Sequence, residues 1–243
     1  ISNLTAAGAP GQQRIMLDTL SRWNGRFAAE RSEDSRLAAQ LANYELAYRM
    51  QTAAPDLINI ADESATTREL YGVDKEPTAK FGRMCLLARR MAERGVRFIQ
   101  LFNNDWDGHG ECAQNHAANA SRTDQPIAAL LTDLKQRGLL DSTLVVWAGE
   151  FGRTPVMQGS NGRDHSPYGF SVWLAGGGVR GGQAIGATDD LGFRAIERKV
   201  HVHDLHATML ALMGLDHERL TYHFEGRARR LTDVFGNVVK EII

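Results

Sequence analysis

Cysteine is scarce in this chain: two in 243 residues, Cys85 within a helical stretch and Cys112 just after a run of acids and histidines. Neither a disulfide framework nor a cysteine-rich zinc site is supported by so few thiols. An excess of charge of one sign is missing too. Lys and Arg number 28 against 29 Asp and Glu, for a net charge of -1 and a pI near 6.8. No bulk field exists to hold nucleic acid or an anionic membrane, so any anion must be bound locally. Nowhere does an apolar run approach the roughly 18 residues of a membrane span. The amino end, ISNLTAAGAP, has neither the basic start nor the apolar core of a signal peptide. As given the chain reads as soluble, with room for a leader removed upstream. Internal repeats and low-complexity tracts are absent as well.

What is present is periodicity. From about residue 11 to 54 apolar residues recur at helical spacing: Ile15, Met16, Leu20, Trp23 and Phe27, then Leu37, Leu41, Tyr44, Leu46 and Met50. Two antiparallel helices are expected, turning through 31–35 with Asp34 or Ser35 as N-cap, and these apolar positions are expected to be core. Residues 55–77 read as an irregular link. A helix over about 78–94 stops at Gly95. The period then changes. Val96–Phe102 reads as a strand, 119–137 as a helix ended by Gly138, and Thr143–Ala148 as a buried strand, together a β-α-β unit with a parallel pair. A third strand, Phe170–Ala175, follows a loop of about twenty residues, a length usually functional or disordered. Asp204 is expected to cap a helix over 205–213 that Gly214 ends.

Three short clusters lie at the ends of, or between, these apolar runs: NDWDGHG at 104–110, GEFGRT at 149–154 and GRDH at 162–165. Carboxylates and imidazoles delivered on loops beyond strand ends suit a divalent ion. Asp107 and His109 are candidate ligands, with Asp105 a further ligand or an orienting partner; the bland alternative is an Asx-rich turn. Glu150 ends the second strand between two glycines. Arg153 is a candidate anion clamp, because a planar guanidinium matches phosphate or sulfate oxygens. It could equally pair with Glu150. Asp164 and His165 offer a ligand with its neighbour, or a ligand with a general acid or base.

Two other features carry less. Gly176, Gly178 and Gly181 satisfy G-x-G-x-x-G after a strand, but no helix follows, so a glycine-rich loop is the better reading than a dinucleotide site. His201, His203 and His206 straddle a helix start at a spacing that matches no zinc motif, which favours structural roles. His116, His217 and His223 suggest none.

The strings WAGEFGRTP, GRDHSPYGFSVWLAGGGVRGG, VHVHDLHATMLALMGLDHERLTY and RLTDVFG together resemble a large bacterial family of uncharacterised, sulfatase-like exported proteins, domain of unknown function 1501. Its relatives are the alkaline phosphatase superfamily. The resemblance implies that W-D-x-H supplies ligands Asp107 and His109, and that His165 supplies another. The superfamily's Asp-His at a strand end is here Glu150-Phe151, one imidazole short, with Asp164 positioned to compensate. It implies also a preceding half, carrying a further aspartate and the nucleophile, and a periplasmic or exported location.

The expected architecture is therefore α/β, a mainly parallel sheet flanked by helices, alkaline phosphatase-like and incomplete as presented. It divides into a helical lead-in over 1–77, a core with the site motifs over 78–215 and a tail over 216–243. The leading function is a metal-dependent hydrolase of sulfate or phosphate esters, with a small-molecule or polysaccharide ester as substrate. The proposed ligands are Asp107, His109, Glu150, Asp164 and His165, for zinc, manganese, calcium or magnesium, with Arg153 and Arg163 as anion contacts. No nucleophile is identified; Ser160 and Ser166 are available in the loop. The alternative is a noncatalytic binding or scaffold protein, which would pair its carboxylates with Arg153 or Arg163.

Overall fold

The computed structural model describes residues 9–29 and 35–243, in two compact units, Ile1–Ser64 and Ala65–Ile243. In the first, helices α1 (Pro10–Ala29) and α2 (Ser35–Ile58) run antiparallel. Gln13 bonds Gln51 at 2.8 Å, Arg14 bonds Glu45 at 2.9 Å, and the Arg14 guanidinium lies over the Tyr48 ring. This polar seam changes the reading of the apolar positions. Ile15, Met16, Trp23, Phe27, Tyr44, Leu46 and Met50 are exposed rather than core. Two helices that meet through charged and amide side chains each cover one narrow stripe, so helical periodicity here marks a face without burying it. The capping site at Asp34 lies outside the described residues, as do the side chains of Ser35, Leu37 and Leu41.

The core of the second unit is helical. Helices α3 (Ala65–Tyr71), α4 (Ala79–Glu93) and α5 (Cys112–Gln136) pack on one another around Tyr71, Phe81, Cys85, Leu86, Ala129 and Leu134, all buried. A Cβ on Gly82 would overlap the Tyr71 carbonyl, so glycine there lets α4 approach α3 closely. Buried Asp133 ties the three helices together. It accepts from the Tyr71 hydroxyl at 3.0 Å, pairs with Arg89 at 2.9 Å and with Arg137 at 2.6 Å. Arg89 and Arg137 also both hold Glu93, each at 2.6 Å. Burial raises the Tyr71 phenol well above its ordinary value, and the Asp133 carboxylate adds to the effect. The Cys85 thiol is likewise pushed up by burial, to about 12.

The expected parallel sheet does not form among the described residues. The strands are β1 (Val145–Trp147), β2 (Gly152–Gln158), β3 (Gly162–Ser166), β4 (Trp173–Ala175), β5 (Ala187–Thr188), β6 (Ala195–Glu197), β7 (Thr221–Phe224) and β8 (Arg227–Arg230). They make four two-stranded antiparallel sheets, β1 with β4, β2 with β3, β5 with β6 and β7 with β8. An alkaline phosphatase-like α/β fold is thereby overturned. Residues 96–102 join no ladder, and Val96, Phe98 and Phe102 are exposed. A parallel strand is stable only with neighbours and with cover on both faces, and this segment has neither among the described residues. Strand β1 instead takes β4, opposing Trp147 to Trp173.

The long connection between β1 and β4 is not structureless, since it folds into the β2–β3 hairpin. Helix α6 (Val202–Leu212) also starts earlier than expected. His201 is its N-cap, and Asp204 sits three residues on, where its carboxylate accepts the His201 N–H at 2.9 Å in a capping box. The other Asp204 oxygen accepts from Asn237 N at 2.7 Å, which fastens the C-terminal segment to α6. No helix is long and apolar enough to cross a membrane among the described residues.

Candidate metal centre

Two segments meet to build the site: the loop from Asn103 to Glu111 that enters α5, and the β2–β3 hairpin. The hairpin reverses at Gly159, Ser160 and Asn161, with Gly159 and Asn161 both at positive φ. Its tip pairs with the loop through main-chain bonds. Arg163 N donates to Gly108 O at 2.9 Å, Glu111 N to Ser160 O at 2.8 Å and Cys112 N to Asn161 O at 3.1 Å. Gly162 is required at this junction, because a Cβ there would overlap the His109 carbonyl.

The junction brings Asp107, His109 and His165 together. His109 Nε2 and His165 Nε2 are 3.0 Å apart, and Asp107 Oδ1 lies 3.0 Å from the second and 3.1 Å from the first. These three are the acidic and histidine side chains that converge in this way among the described residues. Gln158, near the end of β2, puts its Oε1 2.8 Å from His109 Nδ1. A carboxamide oxygen only accepts, so this contact is a hydrogen bond in the tautomer with the hydrogen on Nδ1, which in the neutral ring leaves the Nε2 lone pair facing the cluster. With both rings neutral, three bond-accepting atoms then face one another with one proton, on His165, to share, and the Arg153 guanidinium offsets part of their repulsion. A cation between them relieves that repulsion.

The dimensions suit one. Ligand atoms on a tetrahedral ion with bonds of about 2.1 Å stand roughly 3.4 Å apart, so the side chains need to open by only a few tenths of an ångström. Two imidazoles and one carboxylate fit zinc or a similar ion better than calcium or magnesium, which take oxygen shells. The three side chains are 42–63% exposed, leaving the remaining coordination positions open to solvent or substrate.

Arg153 is the charged partner of the cluster. Opposite His165 in the hairpin register, it places Nη2 2.5 Å from Asp107 Oδ1. Its Nη1 donates to Arg163 O at 2.9 Å and its Nη2 reaches Trp106 O at 3.5 Å. The Arg153 hydrogen bond, followed by that of His165, holds the Asp107 carboxyl down to about 2. The Phe151 ring packs on His165 with centroids 4.1 Å apart.

The other candidates stand elsewhere. Glu150 is exposed and does not join the converging ligand atoms. Asp164 points away by strand alternation, and its carboxylate accepts the His165 N–H at 2.8 Å. The Arg163 side chain folds back on its own turn, donating to Gly162 O at 2.8 Å, so only its backbone meets Arg153. Ser160 lies in the hairpin turn, and Ser166, the last residue of β3, is buried. His201 packs against His203, which in turn stacks on Phe235. Gln158 escaped the sequence reading, since amides are ordinary surface residues; only the hairpin register could have aligned it with His109. Phe151 is visible in the sequence as the residue standing where an imidazole was expected, but its stacking role is not.

No curated protein and no solved structure matches the chain. A family model does, and its span takes in both units and every residue of the cluster. Over residues 3–243 the chain belongs to the family described as protein of unknown function (DUF1501).

Proposed function

We propose that this chain carries the metal site of a hydrolase acting on a sulfate or phosphate ester. One observation supports the reading above others: Asp107 Oδ1, His109 Nε2 and His165 Nε2 stand 3.0–3.1 Å apart, with Gln158 Oε1 2.8 Å from the far nitrogen of His109. A divalent ion held there supplies charge stabilisation and activation of an attacking oxygen. Arg153 offers a fork for the ester's anionic oxygens, and the substrate class comes from the resemblance of the W-D-x-H and G-R-D-H strings to an uncharacterised, sulfatase-like family. A location outside the cytoplasm is part of the same proposal and rests on the resemblance of those strings to an exported family alone.

A second reading, a noncatalytic binding protein, is favoured by the Arg153–Asp107 pair itself, which already neutralises the carboxylate without any ion. Metal content separates the two. After dialysis against metal-free buffer, elemental analysis is expected to find zinc or manganese near one equivalent, and His165→Ala to lose it. The ion-loaded protein is then expected to hydrolyse 4-nitrophenyl phosphate or sulfate. Retained metal without hydrolysis of either ester, or metal content unchanged by His165→Ala, counts against the hydrolase. Absence of metal hands the site to the binding protein.

A further inference from the structure

Asp105 lies two residues before Asp107, and its backbone is left-handed, with φ 76. Asp enters that region more readily than most residues with a Cβ, yet still at a cost that surrounding contacts offset. The contacts come from one face of α5. Asn115 Nδ2 donates to the Asp105 carbonyl at 2.7 Å and Asn119 Nδ2 donates to the same oxygen at 2.8 Å. One turn further, Arg122 reaches the Asp105 carboxylate at 3.4 Å. Asn119 is only 2% exposed, and its own Oδ1 accepts from Arg122 at 3.3 Å. Two amide donors on one carbonyl, from residues one turn apart on a long helix, form a rigid latch. None of these side chains reaches the converging ligand atoms.

We propose that Asn119 and Asn115 are positioning residues. By holding Asp105 left-handed, they set where the chain turns and hence where Asp107 presents its carboxylate to His109 and His165. The proposal rests on the metal reading above for its consequence, though not for its geometry. If the carbonyl is released, Asp105 relaxes towards the ordinary extended or helical region, and two residues on the carboxylate swings away from the imidazoles.

The test uses the whole chain, with NMR for the geometry and zinc competition against a chelator for the consequence. In Asn119→Ala the Asp105 Cα and Cβ shifts are expected to lose their positive-φ signature. The Overhauser contact between Asp107 and the His165 ring is expected to vanish, and zinc affinity to fall roughly tenfold, the usual effect of losing an outer support of a ligand. Glycine adopts positive φ without strain. In an Asp105→Gly background the loss caused by Asn119→Ala is therefore expected to shrink to about twofold, a coupling that only a shared mechanism produces. A merely structural Asn119 gives the same loss in both backgrounds, which overturns the proposal. Should Asn119→Ala fail to fold, Asn115→Ala removes the other donor from a less buried position. Persistence of the Asp105 signature and of the Asp107–His165 contact in the folded variants also overturns it. If the wild type binds no zinc yet the variants break that contact, the metal reading falls and the latch stands.

Discussion

Gln158→Leu isolates the orientation of one ligand. Gln158 is exposed on β2, and its one contact with the cluster is the 2.8 Å bond to His109 Nδ1. An exposed substitution of this kind changes stability by only about 0.5 kcal/mol or less, so folding and binding effects separate cleanly. With the acceptor gone, His109 is free to carry its hydrogen on Nε2, where it blocks coordination, and its ring is free to turn. Losing such a partner typically weakens metal affinity 10–100-fold, or about 1.4–2.7 kcal/mol. Gln158→Glu keeps the acceptor and makes it anionic, so affinity should be retained or raised. The assay is zinc competition against a chelator of known strength at fixed pH, with circular dichroism to verify the fold. Equal affinities for wild type, Leu and Glu would show that Gln158 does not orient His109 and would sink the tautomer argument.

Asp133→Asn keeps the shape of the side chain but withdraws its charge from Arg89 and Arg137; the expected loss in urea unfolding is about 3 kcal/mol, the low end for broken buried pairs because Arg137 is partly solvated. A loss below about 1 kcal/mol would mean that the apolar contacts alone hold α3, α4 and α5 together. Tyr71 has a raised phenol, so above about pH 10 the unfolded chain ionises there while the folded one does not, and stability falls as pH rises, by up to about 1.4 kcal/mol per unit. Tyr71→Phe should flatten that alkaline limb relative to wild type, and superimposable limbs would refute the assignment. The Asp107 carboxyl is depressed, so what its ionised form contributes is present above the ordinary carboxylate value and is lost as pH falls through about 2. In Arg153→Ala its carbon-13 titration should move up towards about 4; a midpoint still near 2 would remove Arg153 as the cause.

Much of the helical scaffold was legible because its signals are local. Gly95 and Gly138 each stand two residues past the last residue of α4 and of α5, both at positive φ, as C-terminal glycines do. The sheet was not legible, because strand pairing is a property of two segments and not of one. Residues 96–102 have the composition of a strand and no partner among the described residues, and Thr143–Ala148 contains a strand that pairs antiparallel with β4 rather than parallel with 96–102. Burial failed for a related reason in α1 and α2: periodicity locates a face but does not say that anything covers it. In the site, Asp107, His109 and His165 stood out by residue type and are brought together by the hairpin. Glu150 and Asp164 stood out equally and lie apart from them, since strand alternation sends Asp164 to the face opposite His165. Type and spacing nominate ligands; the register of β2 on β3 decides which of them meet.

That register also bears on which of the two readings Arg153 supports. Its guanidinium bonds Asp107, but two main-chain carbonyls, of Arg163 and Trp106, hold it as well. A structural counter-ion needs only the carboxylate. A guanidinium anchored by the backbone keeps its place when the carboxylate turns towards a divalent ion, and is then left with an open fork beside that ion, where an anionic ester oxygen can bind. The two readings therefore differ in what ion binding does to Arg153. In the hydrolase, zinc should increase affinity for inorganic phosphate or sulfate, because cation and guanidinium act on the same anion, and Arg153→Ala should abolish that gain while sparing the zinc. In the binding protein, Arg153 and zinc compete for Asp107 Oδ1, so Arg153→Ala should strengthen zinc binding and leave the anion indifferent to it.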